Sequence, residues 1–486
     1  MAPTPNVGDL SEWGLEIDFL VAKERPGSRS WEDDDRWACP AHEPNPQEAC
    51  ARHCAEMIKA YASRQLLTKG GMGYCGHVAA QNETNFTPID LSSERQALPP
   101  SMCNWLFSAS PNATSLKTSP DKLDWVGIRM RSPFRPLPDV FPSGMPPVPD
   151  LVPSVSPSNS PSSSGSSGPP SIPPSPPPED WPRLEVENVL GILRNKVKIH
   201  ANSTCQLRLH YTLRREGFDL VQAKKMLTLC WMMETDLFLK LRPAVQNPGR
   251  NHFLPMTTSS KIAKLPTKFD EGYMAALPDV CEQRLGETRP TGPEADELDQ
   301  HIPKFKDCCL QERIQAIWDT RTLAELADLI MSPDGETTIA IHLPGANLSP
   351  TMEFRYTSWH PQKDSMEYWL RLIGRIFFFC MGSSPKEFKH IVEQVDSSLL
   401  EDQKCEEQER WKPLLAYEFG ARMCYFWEER FLKEELEGRS LSPKNLDCQG
   451  ILDRVAKIAC VSIVDPDSNS DSRSTSTSDE DLSASS

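Results

Sequence analysis

The sequence predicts an α+β fold, in which helices cover one face of an antiparallel sheet. Short runs of alternating apolar and polar residues, typical of strands with one buried face, occur along the whole chain. Longer runs with apolar residues three and four positions apart are typical of helices. The two kinds of run do not follow the strand–helix–strand order of a parallel sheet, which favours the antiparallel arrangement.

Each element is predicted from its own run of residues. The strands are predicted at 14–22, 104–108, 124–132, 204–212, 337–343 and 351–358. The helices are predicted at 46–67, 186–199, 219–241, 310–331, 364–382, 385–395, 412–435 and 445–459. Between 256 and 310 prolines and charges are scattered with little periodicity, so no element is predicted there.

Two segments are predicted to be disordered. Residues 141–182 are rich in proline and serine, and residues 465–486 are rich in serine and aspartate. Both contain too little apolar surface to offset the entropy cost of ordering the chain. They are candidates for phosphorylation or for docking protein partners, and the alternative is that they are unmodified spacers.

The remaining chain, 10–464, is predicted to form one domain that the Pro/Ser-rich segment interrupts. The strands before this segment are too few to close a core with a single long helix. The alternative is that the segment links two domains.

Composition narrows the class of protein and its compartment. A formal net charge of -16 argues against a protein that binds nucleic acid, because phosphate neutralisation needs clustered lysine and arginine. The most apolar stretch, 370–381, is short and contains two arginines, so no membrane partner is expected. The 15 cysteines are dispersed through apolar patterns, as reduced core cysteines are. We therefore expect an intracellular protein, cytoplasmic or nuclear, that is not secreted.

Four of the predicted strands share one pattern, an apolar face opposite a charged face. The charged positions are Glu16 and Asp18, then Arg129 and Arg131, then Gln206, Arg208 and His210, and finally Glu353 and Arg355. Successive residues of a strand point to opposite sides, so each group lies on one face. If the strands share a sheet, carboxylates able to bind magnesium lie beside arginines able to bind phosphate. The alternative is an ordinary solvated face with cross-strand ion pairs.

Seven segments of the chain, in order, resemble the fungal amidoligase family and span most of 10–390. They are GLEIDFLVA, NWLFSAS, DWVGIRMRSPF, NSTCQLRLHYT, LCWMMETDLFLKLRP, GRNHFLP and MEFRYTSWHP. That family is similar to the carboxylate–amine ligases of the glutamine synthetase type. The resemblance implies a glutamine-synthetase-like fold. It also implies ATP- and magnesium-dependent formation of an amide from a carboxylate and an amine, which are small molecules or peptides.

The resemblance also assigns roles to individual residues. It implies magnesium binding by Glu16, Asp18 and Glu353. It implies catalytic contacts to phosphate or substrate by His210, Arg355 and Arg250. It implies cofactor contacts by Arg208, Arg129 and Asn251.

Three positions depart from the family pattern. Arg129 stands where a metal-binding glutamate is expected, Arg208 where a histidine is expected, and Gln206 where a glycine is expected. At about 4 Å two like charges repel by roughly 4 kcal/mol at an intermediate effective dielectric, so an arginine there disfavours magnesium. Two hypotheses follow: a weak or impaired amidoligase, or an inactive binding or scaffolding module whose arginines pair with the carboxylates.

A weaker pattern suggests zinc near the N-terminus. Cys39, His42, Cys50, His53 and Cys54 include pairs with ligand-like spacing. The last three also have helical spacing, which favours a structural role in a buried helix.

Overall fold

The computed structural model describes residues 11–27, 34–69, 77–80, 104–136, 183–213, 217–239, 253–266, 293–343, 349–359, 363–401 and 450–455. The predictions made for 141–182, 412–435 and 465–486 lie outside these residues. So do Arg250 and Asn251.

The described strands form a nine-stranded sheet and a separate two-stranded sheet. In chain order they are β1 (Ser11–Lys23), β2 (His77–Ala80), β3 (Asn104–Ala109), β4 (Asp124–Arg131), β5 (Arg135–Pro136), β6 (Ile199–His200), β7 (Gln206–Leu213), β8 (Phe253–Leu254), β9 (Glu336–Thr337), β10 (Ile339–His342) and β11 (Thr351–Ser358). All six predicted strands are present.

The large sheet has the order β10-β11-β7-β1-β4-β3-β2, with β5 and β6 also paired to β1. Its pairs are antiparallel except β2 with β3, which is parallel. The two-stranded sheet pairs β8 with β9 in parallel. The mixed α+β class and the antiparallel sheet are thus confirmed, and the four strands with charged faces, β11, β7, β1 and β4, are consecutive neighbours.

The helices are α1 (Pro46–Lys69), α2 (Arg183–Lys196), α3 (Leu220–Met233), α4 (Met256–Ser259), α5 (Pro293–His301), α6 (Cys308–Trp318), α7 (Leu323–Ile330), α8 (Lys363–Gly382) and α9 (Pro385–Glu401). A π-helical turn, Glu234–Phe238, extends α3. No helix among the described residues is long and apolar enough to cross a membrane.

The helix predictions fail at three places. The single helix predicted at 310–331 is two helices, because the Thr322 side chain accepts a hydrogen bond from Glu325 N and starts α7. Residues 450–455 of the helix predicted at 445–459 are not helical, and Ile451 instead bridges to His200. The stretch in which no element was predicted contains α4 and α5.

The apolar face of the sheet packs against helices. Leu15, Ile17 and Phe19 on β1 are fully buried. Tyr211 on β7 donates a hydrogen bond to the Leu370 carbonyl of α8, with an oxygen–oxygen distance of 2.9 Å. This face therefore holds the core between the sheet and α8.

The charged face is also buried, which the sequence did not predict. Helices were expected to cover one face only, yet residues on both faces of β1 and β7 are buried. Asp18 is 0 % exposed and Glu16 is 3 % exposed. The physical reason is that the charged side chains satisfy one another and so need little water.

Candidate functional site

Cross-strand register brings together the charged residues of β11, β7, β1 and β4. Glu16 lies between Arg131 and Arg208, and Asp18 lies opposite Arg129. Glu353 lies opposite His210. We call this group the polar face; its members are Glu16, Asp18, Arg129, Arg131, Arg208, His210, Glu353 and Arg355. It contains every site residue predicted from the sequence except Arg250 and Asn251, which lie outside the described residues.

Glu16 is hydrogen-bonded from both neighbouring strands. Arg131 Nε donates to its Oε1 at 2.6 Å, and Arg208 Nη1 donates to its Oε2 at 2.9 Å. His210 Nε2 lies 3.4 Å from Oε1 without hydrogen-bond geometry. Both oxygens of this carboxylate are therefore occupied by guanidinium donors.

Asp18 is enclosed in the same way. Arg129 Nε donates to its Oδ1 at 2.9 Å, and Arg208 Nη2 donates to its Oδ2 at 3.1 Å. Arg208 thus links the two acidic residues of β1 through separate nitrogens. It occupies the space between the two carboxylates that were predicted to bind magnesium.

Glu353 forms a bidentate pair with an arginine two residues along its own strand. Arg355 Nε and Nη2 donate to its two oxygens at 2.7 and 2.8 Å. His342 Nε2 also contacts Glu353 Oε2, and Arg355 Nη1 reaches Glu336 at the exposed margin at 3.1 Å. His342 was not predicted as a site residue, although it ends a strand next to β11.

Aromatic rings cover part of the polar face. The Phe253 ring lies 5.4 Å from the Arg208 guanidinium and 4.9 Å from that of Arg355, and is 1 % exposed. Phe134 meets the His210 ring edge-on at 6.5 Å. The rings restrict water access, which strengthens the charge interactions beneath them.

The pKa values reflect this network. Burial acts to raise the pKa of Glu16, but His210, Arg131 and Arg208 outweigh it and hold that pKa well below the usual value. Burial likewise acts to raise the pKa of Glu353, and His342, His210 and Arg355 reverse the effect. The pKa of Arg129 is raised, because Asp18 and Glu16 outweigh the loss of hydration. Both glutamates are therefore ionised at neutral pH.

Magnesium does not fit the polar face. A magnesium ion needs free carboxylate oxygens, and those of Glu16, Asp18 and Glu353 already accept hydrogen bonds from arginine or contact His342. Within the described ranges, no group of three or more His, Cys, Asp or Glu side chains is placed to hold a metal ion. The guanidiniums of Arg129 and Arg208 place positive charge beside these carboxylates, where the ion was predicted.

Two arginines at the margin of the polar face remain accessible. The side chain of Arg131 is 38 % exposed and that of Arg129 is 22 % exposed, whereas Arg208 is 3 % exposed. Arg129 Nε donates to Asp18, and within the described residues the terminal nitrogens of Arg129 donate no hydrogen bond. Arg129, Arg131 and Arg208 meet the carboxylates of Glu16 and Asp18 on this side of the face, and Arg208 Nε also lies 3.5 Å from Glu353 Oε1.

The cysteine-rich segment at the N-terminus is part of the core. Cys39, Cys50 and Cys54 are fully buried, and burial raises the pKa of all three thiols, that of Cys54 to about 12. The His53 ring stacks on Trp37 with centroids 3.9 Å apart. Cys50 and Cys54 are one helical turn apart in α1 and are buried in the core with Cys39, which fits the structural interpretation of this segment.

Comparison of the chain with protein-family models, with curated proteins and with solved structures finds no match of any of the three kinds.

Proposed function

We propose that this protein is a metal-independent binding module for anionic ligands, derived from a ligase-like site and built on a glutamine-synthetase-like sheet. One observation carries the proposal: arginine donors hold the oxygens that magnesium would need. A weak amidoligase remains the competing proposal, and it requires magnesium and ATP at the same face.

The proposed ligand is a phosphate-bearing molecule bound at the β4 margin. Arg129 and Arg131 are two positions apart on β4, so their side chains point to the same side. Guanidiniums bind such groups through two parallel hydrogen bonds and need no metal to do so. Arg208 and Arg355 are too deeply buried to contact the ligand first. They hold the carboxylates of the polar face in place.

The test is calorimetric titration of ATP, and separately of tripolyphosphate, into the full chain with magnesium or with EDTA. We expect binding that is indifferent to magnesium and is weakened about tenfold or more in Arg129→Ala and Arg131→Ala. Arg25→Ala is the matched control, because Arg25 Nε also donates to an aspartate, Asp124, at 2.9 Å but on the exposed surface.

The same titration separates the two proposals. Binding that requires magnesium and is lost in Glu16→Ala would support the amidoligase and overturn the metal-independent module. Absence of binding by either polyanion, with or without magnesium, would refute both.

A further inference from the structure

A short segment near the C-terminus, Gly450–Val455, is docked on residues far from it in sequence. Leu452 N donates to the Ile199 carbonyl of β6 at 2.8 Å. His200 Nδ1 lies 2.6 Å from the Gly450 carbonyl. The segment therefore pairs with β6 at one antiparallel bridge, between Ile451 and His200.

Side chains of the surrounding surface hold the main chain of this segment. The Asn195 amide pairs with both Val455 main-chain groups: its Nδ2 donates to the carbonyl at 3.2 Å, and its Oδ1 accepts from the amide at 2.8 Å. Arg36 Nη1 donates to the Leu452 carbonyl at 2.5 Å, and Arg194 Nε donates to the Asp453 carbonyl at 2.9 Å. All of these contacts are to peptide groups, which every sequence carries.

One side chain of the segment is buried. Leu452 is 5 % exposed, whereas Asp453 and Arg454 are exposed. Arg454 forms surface ion pairs with Asp34 and Asp35. The side chains that would distinguish this segment from other peptides are therefore the buried Leu452 and the basic Arg454 two positions later.

The side chain of Arg36, which contacts the segment, is already held in place by other residues. Asp34 holds Arg36 through three contacts between 2.7 and 3.1 Å, which lowers the pKa of Asp34 to about 2, chiefly through these hydrogen bonds. The Arg36 side chain is 8 % exposed, and its Nη1 donates to the Arg194 carbonyl at 3.0 Å as well as to the Leu452 carbonyl. A fixed donor of this kind loses little entropy on binding.

We propose that Arg36, Arg194, Asn195, Ile199 and His200 form a peptide-recognition groove for extended segments with a Leu-x-Arg pattern, and that Gly450–Val455 is its resident peptide. This surface is separate from the polar face, and the proposal does not depend on anion binding. A partner protein that carries the pattern in an extended segment replaces the resident peptide.

The test uses the full chain with Leu452→Asp, which removes the anchor from the resident segment. A fluorescent peptide of residues 450–457 is then titrated by fluorescence anisotropy. We expect this variant to bind the peptide about tenfold or more tightly than the unmodified chain does, because the groove is vacated. Adding Asn195→Ala should reverse the gain, because the bidentate amide contact is lost. Equal affinity in all three proteins would overturn the proposal.

Hydrogen exchange on the folded chain provides a second measurement, which does not require the Leu452→Asp variant to fold. In the unmodified protein the Leu452 and Val455 amides should exchange by local opening, faster than β1, and faster still in Asn195→Ala. Exchange of these two amides at the rate of β1 would mean that the segment is an integral part of the core, which also overturns the proposal.

Discussion

Arg129 and Arg208 occupy the polar face as partners of Asp18 and Glu16. Both guanidiniums are held by hydrogen bonds between 2.9 and 3.1 Å; the Phe253 ring lies against Arg208, whereas Arg129 stays partly exposed. A buried ion pair contributes little net stability, but removing one partner leaves an uncompensated buried charge. The chemistry of the face therefore depends on single residues.

Reversing the charge at position 129 should make the stability of the protein sensitive to magnesium. Arg129→Glu removes one guanidinium from Asp18 and adds a carboxylate beside it. We expect saturating magnesium to raise the Tm of this variant by about 5 °C, because only the folded state binds the ion. Differential scanning calorimetry with magnesium and with EDTA measures the shift.

Arg25→Glu is the matched control for this prediction. It makes the same change beside Asp124 at an exposed pair and should show no magnesium dependence. Equal shifts in both variants would mean that the effect is not specific to the polar face.

Acid should destabilise the protein through Glu16. Its folded pKa is held well below the usual value of 4.5, so its ion pairs stabilise the fold above that pH. As the pH falls below about 4.5 the unfolded state takes up the proton first, and the free energy of unfolding decreases.

Urea unfolding between about pH 3 and pH 6 tests whether the free energy of unfolding decreases as the pH falls. Glu16→Gln, which cannot titrate, should show a shallower pH dependence than the unmodified chain. If the free energy of unfolding depends on pH equally in both proteins, Glu16 does not contribute to the loss of stability in acid.

At the scale of elements, Gly127 lets a loop cross β4. A Cβ at this position would lie 2.3 Å from the Ala113 carbonyl oxygen and 2.4 Å from that of Ser110. The loop backbone therefore rests against the strand where any side chain would collide with it. This contact explains why a glycine interrupts an otherwise well-patterned strand.

Gly127→Ala should destabilise the fold by about 3 kcal/mol, since backbone atoms must move to relieve the overlap. Gly14→Ala is the control within the same sheet, because its Cβ would lie 3.5 Å from the Phe134 ring, an ordinary contact. Chemical denaturation of both variants measures the difference, and equal losses would contradict the account of Gly127.

Glu234 joins three elements beneath the sheet. It is fully buried in the π-helical turn and accepts hydrogen bonds from Met256 N at 3.0 Å, Thr257 N at 2.6 Å and Tyr356 Oη at 3.1 Å. These contacts fix α4 and, just before it, Phe253. A π-helical turn thus sets the position of the ring that covers Arg208 and Arg355.

At the scale of the whole molecule, β1 is the centre of the fold. It pairs with β4, β5, β6 and β7, whereas β10 lies at one end of the order of described strands. Amides of β1 should exchange only on global unfolding, and those of β10 should exchange faster through local opening. Native-state hydrogen exchange followed by mass spectrometry distinguishes the two, and equal protection in both strands would contradict this ordering.

The sequence predicted the elements better than it predicted their ends. Alternation identified six of the eleven described strands, because side-chain direction along a strand is a local property; the other five are two to four residues long, too short to show a period. The break at Thr322 was missed although Thr322 and Glu325 have capping-box spacing, which is visible in the sequence. The elements α4 and α5 were missed because α4 is a single turn and α5 has weak periodicity.

The sequence by itself determined which charged residues share a face, since that depends only on the two-residue period of each strand. It did not determine that Arg208 would bridge Glu16 and Asp18, that Phe253 would cover the face, or that Gly450–Val455 would dock beside Asn195. Only the tertiary structure decided these points. Strand register and long-range contacts determine which donor meets which acceptor, and the burial that follows decides whether the charges bind water, metal or one another.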